Sequence, residues 1–360
     1  MANLNAWQKI NRVVSGRPFG NGSDGAYSSA TIPTMANSSC SGTAASSTLS
    51  VSANSWSNGS VLLVHQSRGT GVGQWEINGI SSGGGTTTLT TQRPLNYTYT
   101  DSGASQAQVT IVKQYTDVTV QSGTWNVSTW STNVNGILCF AAKGDVTVTG
   151  TISANGDGYA GGARAGDPGS PAAGEGGSGL PGSQATGAGQ GGGNGTAGSG
   201  GGYGVAGTGA RGGSVYGSAD LTSLSFGGGG SGASANPSSN ASAGAKSGGA
   251  IFIFAKNISG ITGGITATGD NSANTSDRSG GGGSGGAVLI VCSTATLGTN
   301  KVTAGGGTAG TADSPGTAGG VGRIAVHHFG AVTGTTSPTY NDTADTSLIE
   351  TDASILFGLT

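Results

Sequence analysis

Residues 137–156 read ILCFAAKGDVTVTGTISANG, residues 250–269 read AIFIFAKNISGITGGITATG, and residues 287–306 read AVLIVCSTATLGTNKVTAGG. The second copy follows the first by 113 residues and the third follows by a further 37, with no gap needed in either comparison. Each unit is an apolar run, a short polar connection, a second run ending in Ala and Gly, and then a glycine-rich excursion. Ser-Gly-Gly introduces the latter two copies at 247–249 and 284–286, and a truncated fourth begins at Gly322-Arg323-Ile324-Ala325-Val326. Short apolar runs between glycine punctuation are strand signals. A unit this small cannot bury a face alone, so repeated units imply stacking, as in a β-helix or β-solenoid.

Outward from the repeat, glycine is distributed unevenly. The chain has 75 glycines in 360 residues, of which residues 1–150 hold 18, residues 151–330 hold 55 and residues 331–360 hold 2. Between the first two copies, residues 156–213 carry 26 glycines in 58 positions, without the every-third-residue period and abundant proline of collagen. This stretch reads as ordered rather than as a linker. Its ends return to copies of one strand motif, and it lacks the charge that keeps a disordered chain solvated. The ordered state open to it is a three-fold extended helix of the polyproline II type, in which glycine lets parallel helices approach closely.

Before the repeat, residues 47–149 show short β-branched runs separated by turns, among them Val61-Leu62-Leu63-Val64, Val109-Thr110-Ile111-Val112 and Val118-Thr119-Val120. These read as a β-sandwich, a barrel or a β-helix-like part with a conventional core, where Trp56, Trp75, Trp125 and Trp130 concentrate. The expected organisation is all-β: an N-terminal arm (1–25), a β-rich part (26–136), a glycine-rich repeat part (137–330) and a Thr/Ser/Asp-rich tail (331–360).

Composition excludes several function classes. Charged residues are 8% and net charge is −2, so no basic footprint for nucleic acid is present. The longest apolar runs are about six residues, against roughly 20 for a membrane-spanning helix, so no membrane insertion is expected. The opening Met1-Ala2-Asn3-Leu4-Asn5-Ala6-Trp7 lacks the basic and apolar regions of a secretion signal. Cys40, Cys139 and Cys292 are odd in number and far apart, and read as buried free thiols. A chain with reduced thiols and the composition of a surface protein suits a virion component released by lysis.

Chemistry-bearing residues are few. Glycoside hydrolysis needs two carboxylates with divergent pKa values, and the glutamates are Glu76, Glu175 and Glu350. Glu76 with Asp101 or Asp117 is the best available pair, weighed against solvated surface acids. His65, His327 and His328 are the histidines, and adjacent strand residues point to opposite faces, which argues against one metal held by the last two. No catalytic residue and no zinc site are assigned, and the chain reads as a non-enzyme without a cofactor. Asn21-Gly22-Ser23-Asp24-Gly25 and Asn155-Gly156-Asp157-Gly158 place oxygen ligands on tight turns, so Ca²⁺ is the alternative there to plain turn chemistry. Tyr159, Tyr203 and Tyr216 lie in or beside the glycine-rich stretch, where little core exists to bury them, and are the receptor-contact candidates.

At its glycine-rich excursions the chain resembles the distal adhesins of bacteriophage long tail fibres, and also glycine-rich proteins of phage and bacterial surfaces. The resemblance covers about half the chain. It implies packed polyglycine II helices with apical loops that contact a host receptor. The reading is an oligomeric virion surface protein, a tail-fibre or tail-tip subunit. Its partners would be copies of itself, other virion proteins, and a host glycan or outer-membrane protein. The alternatives are a capsid-exterior structural protein, a cellular adhesin or extracellular filament subunit, and a tailspike-type polysaccharide depolymerase.

Overall fold

The computed structural model describes residues 18–345, apart from 53, 132, 167–168, 180–181, 183–184, 191–195 and 236–239. The described residues are all-β, with no helix among them. In chain order the strands are β1 (Tyr27–Ser29), β2 (Asn37–Ser41), β3 (Thr48–Val51), β4 (Val61–Arg68), β5 (Trp75–Ser82), β6 (Thr88–Thr91), β7 (Gln106–Ile111), β8 (Lys113–Tyr115) and β9 (Val118–Val120). There follow β10 (Thr124–Asn126), β11 (Ile137–Val148), β12 (Thr151–Ser153), β13 (Ala250–Ile261), β14 (Gly264–Thr266), β15 (Ala287–Thr303), β16 (Arg323–His328), β17 (Val332–Ser337) and β18 (Asn341–Ala344).

Of the sandwich, barrel and β-helix-like forms expected of the early strands, β2–β7 take the barrel, closed and antiparallel in the order β2-β3-β6-β5-β4-β7. Strand alternation explains its two surfaces. Leu62 and Val64 of β4 fill the barrel with Leu49, Ile80, Leu89 and Val109. Val61 and Leu63, with Trp75 and Ile77 of β5, point outward into a second core.

That second core is one face of a parallel half-barrel sheet. Its order is β1-β9-β11-β13-β15-β14-β12-β10, with β8 on β11, β16 and β17 on β15, and β18 on β16. Ile137 pairs with Ala250 and Ala250 with Ala287, the first positions of the three sequence copies. Thr151 pairs likewise with Gly264. Alternate residues of the three long strands go to opposite sides. Leu138, Ile251 and Val288 enter the concave core with Trp125, and Cys139, Phe252 and Leu289 face the barrel. Burial on both faces is why the strands read as unbroken apolar runs. β1 and β8–β10 come from the 26–136 span, and β17 and β18 from the 331–360 span, so one sheet gathers all three spans. Residues 1–17 of the expected arm and 346–360 of the expected tail lie outside the described residues.

Between strands the chain runs in extended glycine-rich segments whose hydrogen bonds rotate. Along 227–235, Gly227, Gly230 and Ala233 donate to Gly248, Ala245 and Ser242. Gly228, Ser231 and Ser234 donate to Gly202, Ser199 and Thr196, and Gly229, Gly232 and Ala235 to Glu175, Ala172 and Ala165. All nine bonds are 2.9–3.2 Å. The carbonyls of Gly228 and Ser231 accept from Ser284 and Gly281, that of Gly229 from Gly189 and that of Gly230 from Gly162. A β-strand bonds in two directions; this segment donates in three and accepts from others. A Cβ on Gly229 would lie 2.1 Å from the carbonyl oxygen of Ala160, and one on Gly228 1.8 Å from that of Gly187.

Gly229→Ala is therefore expected to force the segments apart and destabilise the fold by about 1–3 kcal/mol or more, as overpacking does. Gly260→Ala, where no atom lies within 4 Å of the added Cβ, should unfold close to the native denaturant midpoint. Denaturant unfolding of both variants checks the contrast.

Candidate functional site

The barrel, the sheet and the glycine segments meet at a seam of buried polar groups. Arg68 ends β4 and is 1% exposed, and Glu175 in the glycine-rich stretch is 0% exposed. A guanidinium N–H of Arg68 donates to Glu175 Oε1. The same oxygen accepts from Trp130 Nε1 at 3.0 Å, and Oε2 accepts the Ala160 amide at 3.0 Å. Arg68 Nε donates to the Ala104 carbonyl at 2.9 Å, and the guanidinium lies 6.0 Å from the Trp130 ring centre. Two buried charges are tolerable only when paired and hydrogen-bonded in this way. Glu175 is thus a structural anchor.

Beside it, His65 is fully buried. Its Nε2 lies 2.7 Å from the Leu224 carbonyl, which can only accept, so Nε2 carries a proton. Nδ1 in turn accepts from the Ser67 hydroxyl at 2.8 Å, and Ser67 Oγ accepts from Gln108 Nε2 at 2.8 Å. A serine–histidine contact exists here, but Ser67 is itself fully buried and the group ties strand to segment.

The three candidate tyrosines do not project. Tyr159 and Tyr203 are fully buried and Tyr216 is partly buried, all against the sheet face that also receives the barrel. Tyr159 donates to the Ser67 carbonyl and stacks edge-on to Phe226 at 5.2 Å. Tyr216 donates to the Phe226 carbonyl, and its ring lies 4.9 Å from that of Tyr203. Arg323 reaches across, 5.4 Å from the Tyr203 ring, and donates to the Tyr216 carbonyl at 2.9 Å. The reason for this correction is geometric. The glycine segments fold back over an apolar sheet face, and aromatic rings fill the space that glycine leaves. Burial pushes the Tyr203 phenol up to about 12 and the Tyr159 phenol further still.

The paired-carboxylate candidates are not assembled. Glu76 is 1% exposed, and its two oxygens accept the Asn96 amide at 3.1 Å each; it too is no surface acid. Asp101 lines a surface groove of the barrel. Asp117 lies between β8 and β9 and accepts the Asp145 amide at 2.9 Å. Glu350 lies outside the described residues. His327 donates from Nε2 to the Asp220 carbonyl at 2.7 Å, whereas His328 Nε2 lies 2.8 Å from Asp342.

The side-chain oxygens of both candidate calcium turns take hydrogen bonds from the protein itself. Asn21 Oδ1 accepts the Ser23 amide at 2.9 Å, and Asp24 accepts the Gln114 amide at 2.7 Å and pairs with Lys113 at 3.3 Å. Asn155 Oδ1 accepts the Thr268 amide at 2.8 Å, and Asp157 Oδ1 accepts the Thr129 hydroxyl at 2.6 Å. Burial pushes the Asp157 carboxyl up to about 6, with Asp270 adding to the rise against the Thr129 bond. Among the described residues no group of three or more His, Cys, Asp or Glu could hold a metal ion.

The structural constellation that sequence reasoning missed is Arg68–Glu175–Trp130. Its signal was available: isolated charges in a chain so poor in them. No family model, curated protein or solved structure matches the chain.

Removing one partner of a buried pair strands the other charge. Arg68→Met is expected to cost about 3–5 kcal/mol, with Arg68→Met/Glu175→Leu recovering much of it; chemical unfolding of single and double variants checks this. The raised Asp157 pKa has a definite sign. The folded state holds the proton more tightly than the unfolded chain, so stability falls as pH rises from about 3.8 to 6 and stays lost above. Asp157→Asn is therefore expected to raise the melting temperature at pH 8 and to leave it unchanged at pH 3, read by thermal scans at both values.

Proposed function

We propose that the chain is an exterior structural and adhesive protein of a virion, a phage tail-fibre or tail-tip subunit that contacts the host cell surface. The observation that carries the proposal is the three-way rotation of hydrogen bonds along 227–235. We read it as polyglycine II-type packing, since an extended helix with three residues per turn and no internal bonds presents its amides in three directions. The strand copies that feed these segments are read as β-solenoid turns. Such a body needs little apolar sequence, because its cohesion comes from the backbone, and it leaves few amides for a protease to engage.

Parallel bridges join Ala165 to Ser234, Ala241 to Arg278 and Arg278 to Ser314, so the segments run side by side. A body of laterally bonded segments suits receptor contact, by copies of the chain joined to each other and to other virion proteins. A depolymerase has less support, because Glu76 is enclosed in the barrel.

The test is immunogold labelling of intact phage and host cells with antibody to the purified protein. Label at the tail end, with antibody block of adsorption, is the expected outcome. Label over the head would make the chain a capsid-exterior subunit, and label confined to cellular fibres would make it a filament subunit.

A further inference from the structure

The barrel carries a groove of about 480 Å³, within the ~300–1,000 Å³ range of ligand sites. It is built on β2, β3 and residues 98–102. In the closed order of the barrel these strands lie across from β4 and β5, whose outward residues dock on the sheet. The β2 and β3 wall of the groove therefore lies across the barrel from the strands that dock on the sheet.

Its floor is fixed from beneath. Gly42 and Tyr99 exchange backbone bonds at 3.0 and 2.8 Å. The fully buried Gln66 donates to the Thr100 carbonyl at 3.0 Å and accepts the Thr100 amide at 2.9 Å. A Cβ on Gly42 would lie 2.4 Å from Leu95, so the floor has no room for a side chain there. The groove is lined by the hydroxyl-bearing Ser41, Thr48, Ser50, Thr98 and Thr100 and by Asp101, with Thr98 Oγ1 accepting the Ala44 amide at 3.1 Å.

We propose that this groove binds a neutral oligosaccharide. Hydroxyls both donate and accept, as sugar hydroxyls do, and a carboxylate accepts from two adjacent sugar hydroxyls. Asp101 is the charged residue of the lining, and no lysine or arginine joins it, so a sialylated or sulfated glycan meets repulsion without compensation. Peptide capture by strand addition needs an open sheet edge, and the closed barrel offers none. Recognition at this place must run through side chains. The preformed floor lowers the ordering cost of binding, and repeated copies on one particle would add avidity to weak single sites.

The proposal deepens the host-contact reading and rests on it. The full chain is applied to an array of neutral, sialylated and sulfated oligosaccharides, beside a Thr48→Val/Thr100→Val variant and an Asp101→Asn variant. Binding of neutral oligosaccharides by the native chain is expected, weakened at least tenfold in either variant, with unchanged melting temperatures showing that the fold survives. Retention of no neutral oligosaccharide, preference for the anionic glycans, or indifference to both variants would each overturn it. Failure on the array leaves a tail-end label standing, whereas label on the head or on cell fibres fails the host-contact reading and leaves the array result intact.

Discussion

The backbone hydrogen bond between glycine segments is the constraint on which the rest of this structure depends. Buried amides must be satisfied, and in 227–235 each successive amide finds a different neighbour. That arrangement holds only while the segments approach within reach, and the carbonyls beside Gly228 and Gly229 occupy the space where a Cβ would sit. Glycine is thus a packing requirement here. The entropy lost in ordering it, roughly 1–2 kcal/mol per residue, is offset by bonds shared among several segments and by the sheet that fixes both ends of each excursion.

The sheet and the segments are joined by the few bulky and charged residues that the chain contains. Phe252, Leu289 and Val291 supply an apolar face. Tyr159, Tyr203 and Phe226 descend from the segments to meet it, and Trp75 arrives from the barrel. Arg68 and Glu175 lock the same junction by charge. Scarcity makes each of these residues consequential at this junction.

Much of the sheet was legible in the sequence. The offsets of 113 and 37 between copies are the offsets by which Ile137, Ala250 and Ala287 pair, and both-face burial follows from the apolar runs. The barrel was legible as strands and as one of three possible arrangements of them, because its closure joins β2 to β7 and β3 to β6, contacts that local pattern does not encode. The tyrosines were misplaced for a related reason. Tyr159 bonds Ser67, 92 residues earlier, so the core that buries it is invisible in its glycine-rich surroundings. Glu76 illustrates the converse, since an isolated acid looks solvated until its partner, Asn96, is brought beside it.

The pairing of the strand copies also separates position from length. Chain leaving the sheet after Ser153 returns at Ala250, and chain leaving after Thr266 returns at Ala287, yet both returns land on equivalent positions of adjacent strands. The register of the sheet therefore does not record the length of an excursion, even though the long one also lays Tyr159, Tyr203 and Phe226 on the sheet face. Chain added or removed between such anchors leaves the strand pairing unchanged, so the scaffold can diversify its outer surface while its foundation stays the same.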